Sequence, residues 1–237
     1  MGKGSFDRNF SDRLYIILSS IFITSLVSCN LIFQKFFQIE IWIPMIGRYT
    51  FEQSVGLLAY PITFLVTDII SEVYGQKKAN EVVTSGLFAS IFMLLVVTVA
   101  DLIPMADWSP VDGDTFNKVF GLSGAAVLAS MMAYLIAQYI DIRLFHFWKK
   151  LTKGKHLWLR NNASTVFSQF ADTFSVLFLL CIFEVIDWAR FHVLLINGFL
   201  FKVFFAAFDT PIVYWLTSVI RKKLNLKFGE EISHLQD

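Results

Sequence analysis

The apolar residues of this chain fall into six long runs that are separated by shorter polar segments. A helix needs about 20 apolar residues to cross the hydrocarbon core of a bilayer, and each run is close to that length. The runs are apolar on all sides, which favours helices over barrel strands. The pattern predicts an all-α polytopic membrane protein, a single domain over 1–237, with six transmembrane helices at 14–37, 54–72, 80–102, 119–146, 162–184 and 191–219.

One polar segment between the first two runs has a different period. Ile39, Ile41 and Ile43 alternate with other residues at a spacing of two, which is the spacing of a strand. We therefore expect a short extended segment that lies against the membrane in this loop.

The distribution of basic residues predicts the orientation of the helices. Fifteen of the 20 Lys and Arg residues lie in the N-terminal tail, in the loops after the second and fourth runs, or in the C-terminal tail. Cytoplasmic loops of membrane proteins carry an excess of Lys and Arg. Both termini are therefore predicted to be cytoplasmic, and the acidic 101–118 loop is predicted to face outward.

Composition agrees with a membrane protein and excludes several other classes. Apolar residues make up 56% of the chain and charged residues only 16%, whereas soluble domains have about 25% charged residues. A net charge of +1 gives no basic field for nucleic acid. No metal-ligand spacing, phosphate-binding glycine loop or Walker motif occurs, so no metal and no cofactor are expected.

Two polar clusters inside the apolar runs resemble each other. The second run carries TFLVTDIIS (63–71) and the fifth carries TVFSQFADTFS (165–175), each with hydroxyl or polar residues around one Asp. Three helices per half would give the two halves opposite orientations, as in transporters that bind substrate between inverted repeats. The pattern predicts a 3+3 inverted repeat with halves 10–103 and 119–221.

Five charged residues lie inside the apolar runs: Asp68, Asp141, Asp172, Lys202 and Asp209. Each costs about 2.5–3.5 kcal/mol at the centre of a membrane helix, and their formal sum is −3. Such groups are retained when they are paired, hydrated or functional. Lys202 and Asp172 both fall near the midplane, so they can form a buried pair. The sequence is compatible with a pair that only locks two helices and with a pair that takes part in function.

The fifth and sixth runs contain further polar features. Residues 161, 165, 168 and 172 share one helix face, and a polar face inside a membrane helix is typical of a cavity lining. Pro211 follows Asp209 closely, and proline can kink or break a helix.

Four segments together resemble a known family. FLVTDIISEVYG (64–75), LIAQYIDIRLFHFWKK (135–150), LWLRNNASTVFSQFADTF (157–174) and GFLFKVFFA (198–206) are similar to the vitamin-uptake-transporter-like (VUT) family, and within it to the queuosine precursor transporters. The resemblance covers nearly the whole chain. It implies a six-helix bacterial inner-membrane protein that imports 7-deazaguanine bases (preQ0, preQ1 or queuine) for queuosine in transfer RNA.

That substrate class suits the polar residues inside the runs. A carboxylate can accept the N1 and N2 donors of a guanine-like edge, Lys, Asn or Gln can donate to O6, and aromatic rings can stack on the base. The candidate substrate-binding residues are Asn30, Asp68, Gln138, Asp141, Asn162, Ser168, Gln169, Asp172 and Lys202. The candidate gate or helix-end residues are Glu72, Tyr74, Asp209 and Pro211.

Two alternatives remain open from the sequence. One is a substrate-binding membrane subunit of an energy-coupling-factor importer, since those subunits are also small six-helix proteins. The other is a rhomboid-like intramembrane serine protease, in which Ser123 of GLSG (121–124) would meet His192. The sequence also leaves open a homodimer and the identity of any coupling ion.

Overall fold

The computed structural model describes residues 8–44, 47–120, 124–153, 155–227 and 230–232, apart from some side chains within these ranges. Helices dominate the described residues. In chain order they are α1 (Arg8–Ile32), α2 (Tyr60–Val73), α3 (Gly75–Leu102), α4 (Gly113–Phe120), α5 (Gly124–Leu151), α6 (Leu157–Ile182) and α7 (Trp188–Leu224). Strands β1 (Phe36–Ile43) and β2 (Gly47–Ser54) and a short 3₁₀ helix (Val55–Ala59) connect α1 to α2.

Each of the six predicted runs overlaps one long helix, but the all-α prediction is wrong between α1 and α2. The first run was expected to remain helical to residue 37, whereas α1 ends at Ile32 and Phe36 begins β1. The two strands form an antiparallel hairpin in which Ile39 pairs with Phe51 and Ile41 with Tyr49. The extended conformation expected from the isoleucine spacing is thereby confirmed, and its position against the membrane stays a prediction.

The hairpin is attached to the helices by local capping and by the close approach of one β2 side chain to α7. The Ser54 hydroxyl accepts a hydrogen bond from the amide of Gly56, which caps the 3₁₀ helix. A Cβ atom on Gly198 of α7 would lie only 2.8 Å from Nε2 of Gln53. Glycine at 198 therefore leaves space against α7 for the Gln53 side chain of β2.

Four helical segments of the described chain are long and apolar enough to cross a membrane: Arg8–Ile32, Val55–Val73, Gly75–Leu102 and Trp188–Leu224. A shorter apolar helix covers Val166–Ile182. Six membrane crossings, the inverted repeat and the two halves stay predictions. Pro211 was expected to be able to break its helix, but α7 continues through it to Leu224.

The bundle has two distinct ends. At the hairpin end, β2 contacts the beginning of α7, where the Arg190 guanidinium lies 2.9 Å from a Glu52 carboxylate oxygen. At the opposite end, which we call the termini end, the beginning of α1 meets the end of α2 through a 2.9 Å hydrogen bond from the Tyr74 hydroxyl to the Ser11 carbonyl. The largest buried apolar cluster packs α1, α2 and α3 together and includes Phe22 and Ile70.

Candidate functional site

The ion pair that the sequence left open is present between α6 and α7. The Lys202 ammonium donates to Oδ2 of Asp172 at 2.6 Å, and both side chains are buried. The other carboxylate oxygen of Asp172, Oδ1, has no hydrogen-bond partner among the described residues. Buried polar atoms are nearly always partnered, so Asp172 offers an unused acceptor in the middle of the bundle.

Two tyrosines complete the surroundings of this pair. The Tyr60 hydroxyl, at the start of α2, donates to the same Oδ2 of Asp172. The Lys202 ammonium also lies 4.1 Å from the centre of the Tyr60 ring, a cation–π distance. The Tyr134 ring of α5 meets the Tyr60 ring edge to face at 5.4 Å. We call Tyr60, Asp172 and Lys202 the central cluster.

A cavity of about 150 Å³ lies between the central cluster and the hairpin. We call it the hairpin-side cavity. Its polar lining includes Asn30, Gln53, Tyr134, Asp172 and Lys202, and the rest of its wall is mostly apolar. A cavity of roughly this volume in another protein accepts benzene, so the space suits a planar ring with polar edges.

A second, much smaller cavity of about 20 Å³ lies on the other side of Tyr60. We call it the inner cavity. Asp68, Gln169 and Asp209 line it, and Tyr60 and Lys202 border both cavities. The central cluster therefore forms the partition between the two spaces.

Three other predicted site residues, Gln138, Asp141 and Ser168, are buried on α5 and α6. The Ser168 hydroxyl donates to Oδ1 of Asp141 at 2.7 Å, and the Gln138 amide donates to the Tyr134 hydroxyl at 2.5 Å. None of these three borders either cavity. Their contacts place Asp141 and Ser168 between two helices and Gln138 behind the tyrosine that lines the cavity.

Of the remaining two predicted binding residues, one lines a cavity and the other does not. Asn30 lines the hairpin-side cavity and its amide donates to Ser90 at 3.4 Å. Asn162 lies outside both cavities, and its amide donates to the Thr210 hydroxyl at 2.8 Å. The side chains of residues 161 and 165, expected on the polar face with Ser168 and Asp172, lie outside the described part of the chain.

Glu72 and Tyr74, predicted as gate or helix-end residues, have structural partners at the termini end. The buried Glu72 carboxylate binds Arg221 of α7, and its other oxygen lies 3.3 Å from the Lys149 ammonium of α5. Lys149 also donates to Glu231 of the C-terminal segment at 2.8 Å. We call Glu72, Lys149, Arg221 and Glu231 the termini-end cluster; Tyr74 is held by the bond to α1 described above.

Sequence reasoning missed Tyr60, Tyr134 and Gln53 as site residues. Gln53 is buried, its amide donates to the Leu194 carbonyl of α7 at 3.4 Å, and its side chain borders the hairpin-side cavity. No charge or motif distinguishes these residues from the many aromatic and polar residues near helix ends. Only the fold brings them next to Asp172.

The protease alternative has no support in the structure. Ser123 lies outside the described residues, and His192 is exposed at the start of α7.

Comparisons with known proteins agree with a transporter. A family model described as "Putative vitamin uptake transporter" matches residues 54–216. The chain is 25% identical over 230 residues to a "Probable queuosine precursor transporter" of Haemophilus influenzae, covering 93% of each protein. It is 29% identical over 122 residues to a protein of the same name from Bacillus subtilis, covering 51% of this chain and 53% of that one.

No solved structure matches the chain. The family match extends from the end of the hairpin to the last third of α7, and it includes Asp172 and Lys202. The chain belongs to the vitamin uptake transporter family, and it is a multi-pass membrane transporter and not an enzyme.

Proposed function

We propose that this protein imports 7-deazaguanine precursors of queuosine across the bacterial inner membrane, with both termini in the cytoplasm. Relatives named as queuosine precursor transporters support the substrate class. The observation that carries the site is the unused Oδ1 acceptor of Asp172 beside a ring-sized cavity. The substrate-binding site is accordingly the hairpin-side cavity with the central cluster as its floor.

The chemistry of the base suits this floor. A guanine-like edge presents neighbouring N–H donors and a carbonyl acceptor, and a carboxylate can accept two such donors side by side. Oδ1 of Asp172 takes the first donor, and the second competes with Tyr60 and Lys202 for Oδ2. Lys202 can then donate to the carbonyl oxygen of the base.

The walls of the cavity, away from the central cluster, would contact the faces of the ring. Tyr134 supplies an aromatic surface, and Asn30 and Gln53 supply amide donors and acceptors at the cavity wall. Gln53 comes from the hairpin, so closing the site over a bound base depends on how β2 packs against α7. The hairpin thus forms the cover of the proposed site.

Complementation tests the function. Bacteria that lack their own precursor transporter and cannot synthesise the base receive this gene and a limiting supply of preQ0, and queuosine in their transfer RNA is measured. Wild-type protein is expected to restore queuosine. The proposal fails if it does not, provided that the protein is present in the membrane fraction.

The same assay separates function from site. We expect Asp172→Asn and Lys202→Met to restore no queuosine, while Asp101→Asn, at the exposed end of α3, restores it like the wild type. Normal complementation by both central variants would refute the site. Uptake by the purified protein alone in liposomes, without an ATPase, would also separate this proposal from an energy-coupling-factor subunit.

A further inference from the structure

The inner cavity lies on the termini side of the proposed substrate site and is of a different size. Its volume of about 20 Å³ is too small for a base but sufficient for one water molecule, which needs about 10–15 Å³ and two to four polar partners. Asp68 of α2, Gln169 of α6 and Asp209 of α7 line it. Three different helices therefore direct polar groups to a space the size of one water.

Gln169 indicates that this space is used. Its side chain is 1% exposed, and neither its amide nitrogen nor its amide oxygen has a hydrogen-bond partner among the described residues. A buried amide with both atoms unsatisfied is unusual in a folded protein. A water that donates to the oxygen and accepts from the nitrogen would satisfy it.

The charges around the cavity favour a bound proton. Asp68 and Asp209 are both buried, and Lys202, which also borders the cavity, is bound to Asp172. Lys202 and Asp172 sum to zero, so the Asp209 carboxyl adds a negative charge in a region where buried charge is costly. A proton on one carboxyl removes part of this charge and needs no additional space.

A metal ion is less suited to this position. It would lie near the ammonium of Lys202, which repels cations, and it would require a shell of oxygen ligands. Among the described residues, the other titratable groups around this region include Tyr60 of α2, Tyr134 and Asp141 of α5, and Cys29 of α1. None of them supplies a further carboxylate to the inner cavity.

We propose that Asp68, Gln169, Asp209 and one bridging water form a proton-binding site that couples proton movement to uptake of the base. This inference rests on the proposed function. Lys202 connects the two sites because it borders both cavities, and Asp209 lies seven residues further along α7, two helical turns away on the same face.

The coupling step follows because the base and Lys202 compete for the Asp172 carboxylate. A base bound to Asp172 displaces the Lys202 ammonium from Oδ2. The ammonium has three N–H donors, so it can donate one to the carbonyl oxygen of the base and direct another to a carboxylate of the inner cavity, which it then stabilises. The O–H bond of the protonated acid breaks, and its proton passes to the bridging water and on to solvent at the termini end. Base and proton therefore leave the site in the same direction.

Purified protein in liposomes loaded with potassium and valinomycin tests the coupling. The membrane potential is held at zero, the outside is about one pH unit more acidic, and uptake of radiolabelled preQ0 is measured without sodium. One proton per base predicts about tenfold accumulation over equilibrium. Asp209→Asn should exchange labelled for unlabelled base but accumulate none, whereas the control Asp101→Asn should accumulate like the wild type.

Asp209→Glu retains a titratable carboxyl and is expected to recover accumulation, which excludes a general folding defect as the cause. Accumulation by Asp209→Asn equal to the wild type, or accumulation driven by a sodium gradient alone, would overturn the proton site. Absence of any exchange by the wild type would instead contradict the proposed function.

The proton site also has a test that needs no substrate. Infrared difference spectra of the purified protein between acidic and alkaline buffer should contain a protonated-carboxyl band that weakens in both Asp68→Asn and Asp209→Asn. Identical bands in the wild type and both variants would refute the site whatever the transport assays give.

Discussion

Two clusters of opposite charges are buried at different depths of the same helix bundle, and only the central cluster borders the hairpin-side and inner cavities. In the central cluster, Asp172 uses one carboxylate oxygen for both Lys202 and Tyr60 and leaves the other without a hydrogen bond among the described residues. In the termini-end cluster, the Glu72 carboxylate contacts two cations, Arg221 and Lys149. The first arrangement leaves an acceptor for a ligand, whereas the second uses its charges to hold helices together.

The energetics of buried ion pairs sharpen this difference. Desolvation offsets much of the attraction within a buried pair, yet removing one partner alone costs about 3–5 kcal/mol because the other charge is left uncompensated. A cluster that joins α2, α5, α7 and the C-terminal segment therefore acts mainly on stability. Removing one charge of the central cluster should lower stability as well, and the open acceptor beside a cavity adds an effect on binding.

The largest effect is expected from the central pair. Asp172→Asn or Lys202→Met should lower preQ0 uptake about 1000-fold, since losing one partner of a buried hydrogen-bonded charge pair costs about 4 kcal/mol in binding. Radiolabelled uptake in liposomes measures this, with Asp101→Asn as the control. Uptake within a few-fold of the wild type by both variants would remove the distinction between the clusters.

Substitutions in the termini-end cluster should mainly lower the stability of the protein. Arg221→Met is expected to lower the free energy of unfolding by about 3 kcal/mol, because Glu72 loses its closest cation inside the protein. Thermal unfolding in detergent measures the change. The double variant with Glu72→Gln should recover part of the loss, since residue 72 then carries no charge and Lys149 keeps Glu231. A double variant less stable than both single ones would contradict this account.

Tyr60→Phe tests the hydroxyl of the central cluster while keeping its ring. A hydrogen bond to a charged group contributes about 1.5–3 kcal/mol, so we expect base affinity to change by about tenfold or more while thermal stability changes little. Equilibrium binding of preQ0 to the purified protein gives the affinity. An unchanged affinity would mean that Tyr60 only fills space.

The smallest effect is expected at an exposed pair. Lys78 and Glu81 lie 2.7 Å apart at the start of α3, with side chains 44% and 43% exposed. Lys78→Ala should change stability by only about 0.5 kcal/mol and leave uptake unaltered, because solvent screens exposed pairs. A loss similar to that of Arg221→Met would show that burial is not what separates these interactions.

The central pair could be predicted from the sequence because charges inside apolar runs are conspicuous. Asp172 and Lys202 were both expected near the midplane, and the structure brings them into contact. The hairpin could not be fully predicted, since the first predicted run continues past Gln34 and Lys35 into Phe36 and Phe37 of β1. Hydropathy alone does not distinguish an apolar strand from the end of an apolar helix.

The termini-end cluster was missed for a different reason. Charges at the ends of membrane helices usually face the aqueous boundary, and the bonded partners Glu72 and Arg221 are 149 residues apart in the chain. Likewise, the chain has 7 Tyr and 26 Phe, so composition does not distinguish Tyr60 from the other aromatic residues. Both features depend on contacts between distant helices.

The most direct measurement of the central claim uses Cys29, which lines the hairpin-side cavity together with Asp172 and Lys202. In a Cys181→Ser background with intact uptake, the rate of alkylation of Cys29 is followed with and without saturating preQ0. A base bound in this cavity should slow the alkylation strongly, and Asp172→Asn should abolish the protection. Equal alkylation rates with and without preQ0 would contradict the placement of the substrate beneath the hairpin.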